Sequence, residues 1–100
     1  MKKIEIIVAG DLLRHVEDLL DRIKVTGYTV IPNVAGKGHH GVQESAYLFK
    51  ETHSQDMVIT VVPDELVETI SAGVMPLFDK HPGVMFITDV VVIRPRYFRQ

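Results

Sequence analysis

Two amphipathic helical stripes, each set between β-branched runs, leave this 100-residue chain few ways to fold. Ile4 to Val8 is β-branched and predicts a first strand, which Gly10-Asp11 breaks. Asp11 is placed to cap a helix, and Leu12, Leu13, Val16, Leu19, Leu20 and Ile23 then recur at the three-and-four spacing of one helical face. Gly27 closes that unit. Tyr28 to Ile31 predicts a second strand, blunted by Pro32-Asn33. Met57 to Val62 returns to strand chemistry, and Pro63-Asp64-Glu65 starts a helix, with proline early and acids in the first turn. Its stripe runs through Leu66, Val67, Ile70, Val74, Leu77 and Phe78, and Pro76 predicts a bend or stop near Met75. A His81-Pro82-Gly83 turn precedes a long last strand, Val84 to Ile93.

The order is strand–helix–strand, loop, strand–helix–strand. That is an α+β, ferredoxin-like split βαβ arrangement (βαββαβ) in one domain over residues 1–100. Two helices cover one face of a four-stranded sheet. Yet Met57, Ile59 and Val61 are apolar, and so are their alternating neighbours Val58 and Val62. Val90 and Val92 alternate likewise against Val91 and Ile93. A strand apolar on both faces is buried on both. The second face therefore predicts an oligomer.

Composition narrows the function. Eleven basic and thirteen acidic side chains give a formal charge of −2, spread along the chain. A nucleic-acid binder needs a basic surplus to displace phosphate counterions, so none is expected as partner. With no cysteine there is no disulfide framework, thiolate nucleophile or Cys-ligated zinc. No run approaches the roughly 20 apolar residues of a membrane span, and Glu5 interrupts the first apolar stretch, so a cytoplasmic protein without membrane insertion is expected. Nothing assembles an acid–base pair or a nucleophile with its base, and Asp64-Glu65 is explained by helix N-terminal charge. A non-enzyme is expected.

Between Gly36 and about Gln55 the periodicity disappears into a polar, glycine-rich stretch. Loops this long are uncommon in compact domains and are usually functional or disordered. Gly36-Lys37-Gly38 at its start suits an anion, because glycines let the backbone approach and turned N–H groups form a nest. An ordinary loop start is the plainer account of those residues. Arg94, Arg96 and Arg99 lie at the chain end with Pro95, Tyr97 and Phe98 among them. A frayed basic tail is one reading. Phosphate contact by Arg94 and Arg96 is the other, since forked guanidinium donors match phosphate oxygens. His39, His40, His53 and His81 raise a metal, but adjacent histidines point apart and no carboxylate stands at ligand spacing on a rigid element. No metal site is expected.

Four stretches, in order and spanning nearly the whole chain, resemble the PII signalling family. Lys2-Lys3-Ile4-Glu5-Ile6-Ile7 is similar to its first strand, and Val25-Thr26-Gly27-Tyr28-Thr29-Val30 to its turn and second strand. Gly36-Lys37-Gly38 resembles the start of its mobile T-loop, here about 36–55, and Val61-Val62-Pro63-Asp64 its third strand running into the second helix. The T-loop region is a few residues shorter than in nitrogen-regulating members. Val84 also follows Gly83, where those members place a B-loop lysine that grips the terminal phosphates of ATP. With the Asp89-to-Arg94 spacing, this resembles the divergent PII-like proteins found beside bicarbonate transporters and carboxysome genes.

The resemblance implies a homotrimeric signal-transduction protein binding ADP or AMP, with ATP and bicarbonate as further candidates. Ligand would lie in clefts between subunits, and the T-loop would regulate an unidentified protein of inorganic-carbon metabolism. Gly27, Tyr28, Thr29, Gly36, Lys37 and Gly38 would form one wall, with the Thr29 hydroxyl toward the base and Tyr28 packing rather than stacking. Backbone near Val61 and Val62 would read the adenine edge, while Gly83, Phe86, Arg94 and Arg96 would meet the phosphates. Tyr47 is a candidate modification site that the altered T-loop register disfavours. Two rivals remain: a trimeric ferredoxin-like metal-tolerance protein using the loop histidines, and a dimeric enzyme of that fold, such as a muconolactone-isomerase-like protein.

Overall fold

The β-branched run at the start of the chain becomes a central strand of the sheet, paired on both sides. The computed structural model describes residues 1–36 and 55–94. Strand β1 is Lys2–Ala9; a 3-10 turn, Gly10–Leu12, leads into helix α1, Leu13–Ile23. Strand β2 is Thr29–Ile31, β3 is Gln55–Val62, a second 3-10 turn is Asp64–Leu66, helix α2 is Val67–Lys80 and β4 is Gly83–Asp89. The sheet order is β2-β3-β1-β4 with every neighbouring pair antiparallel. This is the expected split βαβ arrangement.

Strand alternation sorts the side chains. Ile4, Ile6 and Val8 of β1 and Val58 and Val62 of β3 are buried together with Leu12, Val16, Leu19 and Leu20 from the α1 side and Ile70 and Val74 of α2. Gly73 lets the helices approach: a Cβ there would stand 2.5 Å from Leu19 Cδ1. The register puts Glu5 between Ile59 and Phe86, and Ile7 between Met57 and Val84, on the other face. Among the described residues no helix covers that face, and Phe86 is 50% exposed on it.

Four local expectations are corrected. Asp11 caps nothing: it lies inside the first 3-10 turn, and neither that turn nor α1 has a side-chain cap. Lys24, not Gly27, ends α1. It adopts φ 66°, ψ 43°, its N–H reaches Asp21 O at 3.2 Å, and Val25 N–H reaches Leu20 O at 3.3 Å. These paired bonds are a Schellman closure, with Val25 folded onto the core. Pro76 neither stops α2 nor ends it at Met75; the helix continues to Lys80, because Leu77 and Phe78 extend its packed stripe. Finally, β4 ends at Asp89 rather than Ile93. Val91 and Ile93 are 92% and 89% exposed, so they form no second buried strand face within the chain.

A non-glycine residue in the left-handed region costs roughly 1–2 kcal/mol, offset in part by the larger unfolded-state entropy of glycine. Lys24→Gly should therefore stabilise the chain by about 0.5–1 kcal/mol in urea unfolding, and an unchanged or lower midpoint would contradict this account of the α1 terminus.

Candidate functional site

The described candidate residues are divided between the β2 and β4 sides of the sheet. At the β2 edge, the β2–β3 ladder covers Thr29–Ile31 against Met57–Ile59 and stops. Beyond it β3 continues through Thr60, Val61 and Val62, with Gly27 beside it: Thr60 Oγ1 donates to Gly27 O at 2.7 Å. Gly27 and Thr29 are exposed. A Cβ on Gly27 would meet nothing within 4 Å, so this glycine leaves open space at the surface and its φ is negative. Thr29 pairs with Ile59 and so shares the uncovered face. Val62 is buried among core residues while Val61, the next position along the pleat, turns to the uncovered face. Only backbone of this pair can present donors and acceptors here.

Tyr28 points away from this wall. It packs against the core on the α1 side. Partial burial, and then the carboxylates of Asp21, Glu17 and Asp18, push its hydroxyl above the ordinary tyrosine value. As a wall residue Tyr28 can offer only its backbone.

At the opposite end of β2, Gly36 is exposed and follows a pinned segment. Asn33 N donates to Asp56 Oδ1 at 3.2 Å and Val34 N to Gln55 O at 2.8 Å. Asn33 takes φ 58°, which turns the chain out of β2. The chain before Gly36 and the start of β3 are thereby tied to each other. Lys37, Gly38, Arg96 and Arg99 lie outside the described residues, as do Tyr47, His39, His40 and His53.

The remaining candidates belong to the other edge. Gly83 opens β4 and pairs with Val8; a Cβ there would collide with Phe78 Cε1 and stand 3.1 Å from Ile7 O. Phe86 lies mid-strand opposite Glu5. Arg94 follows the end of β4, where Lys2 Nζ donates to Asp89 Oδ1 and Val90 N to Met1 O at 3.2 Å. The hydrogen bond from Lys2 holds the Asp89 carboxyl below its usual range and raises the Lys2 amine. β2 and β4 are three strand spacings apart, about 14 Å, and Gly83 and Asp89 are separated by about 20 Å of strand. One chain does not bring these groups into one pocket.

Among the described residues no group of three or more His, Cys, Asp or Glu could hold a metal, and no helix is long and apolar enough to cross a membrane. Thr60 is absent from the sequence candidates. Its signal is a hydroxyl at 60 in the alternating row Val58, Thr60, Val62, whose partner the sequence does not reveal.

Gly27 and Gly83 have opposite structural weight. Gly27→Ala should leave thermal stability close to wild type, because its Cβ enters open space. Gly83→Ala should cost about 1–3 kcal/mol through the forced shift of Phe78, read as a lowered denaturation midpoint; equal midpoints for the two variants would refute this placement.

The family described as nitrogen regulatory protein P-II matches residues 1–97. Among solved structures, CPII from Thiomonas intermedia K12 with ADP, AMP and bicarbonate is 44% identical, covering 99% of this chain and 93% of that one, with a TM-score of 0.83. CPII with ADP, AMP and acetate is 42% identical, covering 99% and 94%, with a TM-score of 0.84. A PII-like protein from Thermus thermophilus, at 20% identity and a TM-score of 0.75 over 97% of this chain and 93% of its own, shows likeness of fold alone. No curated protein sequence matches. With a P-II match over residues 1–97 and CPII 44% identical across nearly its whole length, this chain belongs to the P-II family.

Proposed function

We propose that the chain is a non-enzymatic signalling protein that binds ADP or AMP in clefts between the subunits of a homotrimer, with bicarbonate as a co-ligand. The observation that carries this is the whole-length likeness to CPII, whose structures hold ADP, AMP and bicarbonate. The geometry supports the position of the cleft. Gly27, Thr29 and the Val61–Val62 backbone are on the β2 edge, while Gly83, Phe86 and Arg94 are on the β4 side, so a second copy is needed to close the pocket. A closed ring gives every chain one neighbour at each edge and buries the uncovered apolar face. In this arrangement the β2 side meets the adenine, and Arg94 with Arg96 meets phosphate oxygens through charge-assisted bonds.

The segment after Gly36 carries the signal to a protein partner of inorganic-carbon metabolism. The described residues that flank it, Asn33 and Val34 on one side and Gln55 and Asp56 on the other, are bonded to each other, so a ligand at Gly36 would act on the segment without disturbing the sheet. Lys37 supplies positive charge for phosphate or bicarbonate at the same place.

Val84 stands on β4 opposite Ile7, on the face without helices, where nitrogen-regulating members carry lysine. A third phosphate then adds negative charge with no new cation to meet it. ADP or AMP should bind at least as tightly as ATP in calorimetric titration, and Val84→Lys should shift preference toward ATP. A tenfold preference of wild type for ATP would overturn this. Arg94→Ala should weaken ADP by roughly 1.5–3 kcal/mol, and unchanged affinity would remove Arg94 from the phosphate site.

Light scattering should give a mass of about 34 kDa, three chains of 11.3 kDa. Ile59→Glu, which puts a charge on the uncovered face, should convert it to smaller species. A wild-type monomer at micromolar concentration, or a trimer indifferent to this substitution, would refute the assembly.

A further inference from the structure

We propose that Thr60 is a positioning residue for the nucleotide, its buried hydroxyl holding the Gly27 carbonyl so that residues 26–28 stand as the adenine wall. The inference rests on the nucleotide reading above and adds a residue whose side chain does not itself face the ligand.

Thr60 is 2% exposed, on the helix side of β3 between the buried Val58 and Val62. In that row a third valine would pack as well, so the hydroxyl contributes something other than burial. It donates at 2.7 Å to a carbonyl 33 residues earlier in the chain. The β2–β3 ladder has already ended at Thr29 and Ile59, so this bond extends the attachment of the preceding loop to β3 beyond the last strand pair. On its other side the loop leaves the Schellman closure at Lys24 and Val25. Between those anchors Gly27 borders open space, so side-chain packing does not locate it. A net protein hydrogen bond is modest in stability, but it fixes direction, and a wall that approaches a flat base through glycine backbone depends on direction.

The test uses the full chain with Thr60→Val, which keeps the shape and removes the hydroxyl; Thr60→Ser, which keeps the hydroxyl and removes a methyl; and Thr60→Ala as a second variant without the hydroxyl. Calorimetry with AMP, ADP and ATP, thermal midpoints, and amide exchange at residues 26–28 in ligand-free protein are read together. Thr60→Val and Thr60→Ala should weaken all three nucleotides by a similar factor, about three- to tenfold, because the contact is at the base end. They should also speed exchange at residues 26–28. Thr60→Ser should bind like wild type although its lost methyl lowers the midpoint. Thr60→Val binding like wild type would overturn the inference alone, as would losses that follow the midpoint across all three variants or grow with the number of phosphates. A wild-type chain that binds no adenine nucleotide would overturn the functional reading and this inference with it.

Discussion

One-sided helical cover is the constraint on which the rest of this molecule depends. Two helices bury Ile4, Ile6, Val8, Val58 and Val62, and nothing within the described residues does the same for the opposite side of those strands. Ile7, Met57, Ile59, Val61 and Val84 remain only half-buried, with Phe86 more open still. At about 25 cal/mol per Å² of apolar surface, such a face is costly to leave in water. The same feature that makes the isolated chain incomplete supplies the means of placing two chains against each other. In the proposed trimer, assembly and a ligand cleft at the subunit boundary would share this one physical origin.

The central strands set the positions of the edges that such a boundary would use. β1 pairs residue for residue with β3 and β4, tying Lys2 to Val62 and Asp89 at one end and Val8 to Asp56 and Gly83 at the other. A slip of one residue would exchange the core face for the open face and move every candidate position with it. β2 is short, three residues against eight in β3, and this shortness leaves Thr60 to Val62 facing a loop instead of a strand. A longer β2 would pair with the backbone of Val61 and Val62 and close the notch beside Gly27.

Polar placements around the notch and at the base of the 37–54 segment follow one pattern. A buried or nearly buried group in β3 reaches across to the β2 side: Thr60 to Gly27 O, Asp56 to Asn33 N, and Gln55 O to Val34 N. Thr60, Asp56 and Gln55 are all buried, and pairing removes the cost of burying them. β3 therefore acts as the rigid reference for both loops that the functional reading uses, while β4 carries the residues that a neighbouring chain would present.

Periodicity in the sequence determined the element order, the two helix stripes and the double-sided character of Met57 to Val62, because alternation and three-and-four spacing are local consequences of backbone geometry. Lys37 between its glycines and the arginines at 94 and 96 are candidates for phosphate contact by residue type alone, and Lys37 and Arg96 lie outside the described residues. Tertiary structure decided what local rules could not. Lys24 closes α1 in the left-handed region because Val25 then folds onto the core, and α2 passes through Pro76 because Leu77 and Phe78 still have a core to meet. β4 ends at Asp89, where Lys2 holds it, although the apolar pattern runs on to Ile93. Tyr28 turns to the α1 side while Thr29 faces outward, and Gly27 finds Thr60 across 33 residues. These are long-range pairings. A sequence fixes which residues can make them, but only the register of strands and the packing of helices decides which of them meet.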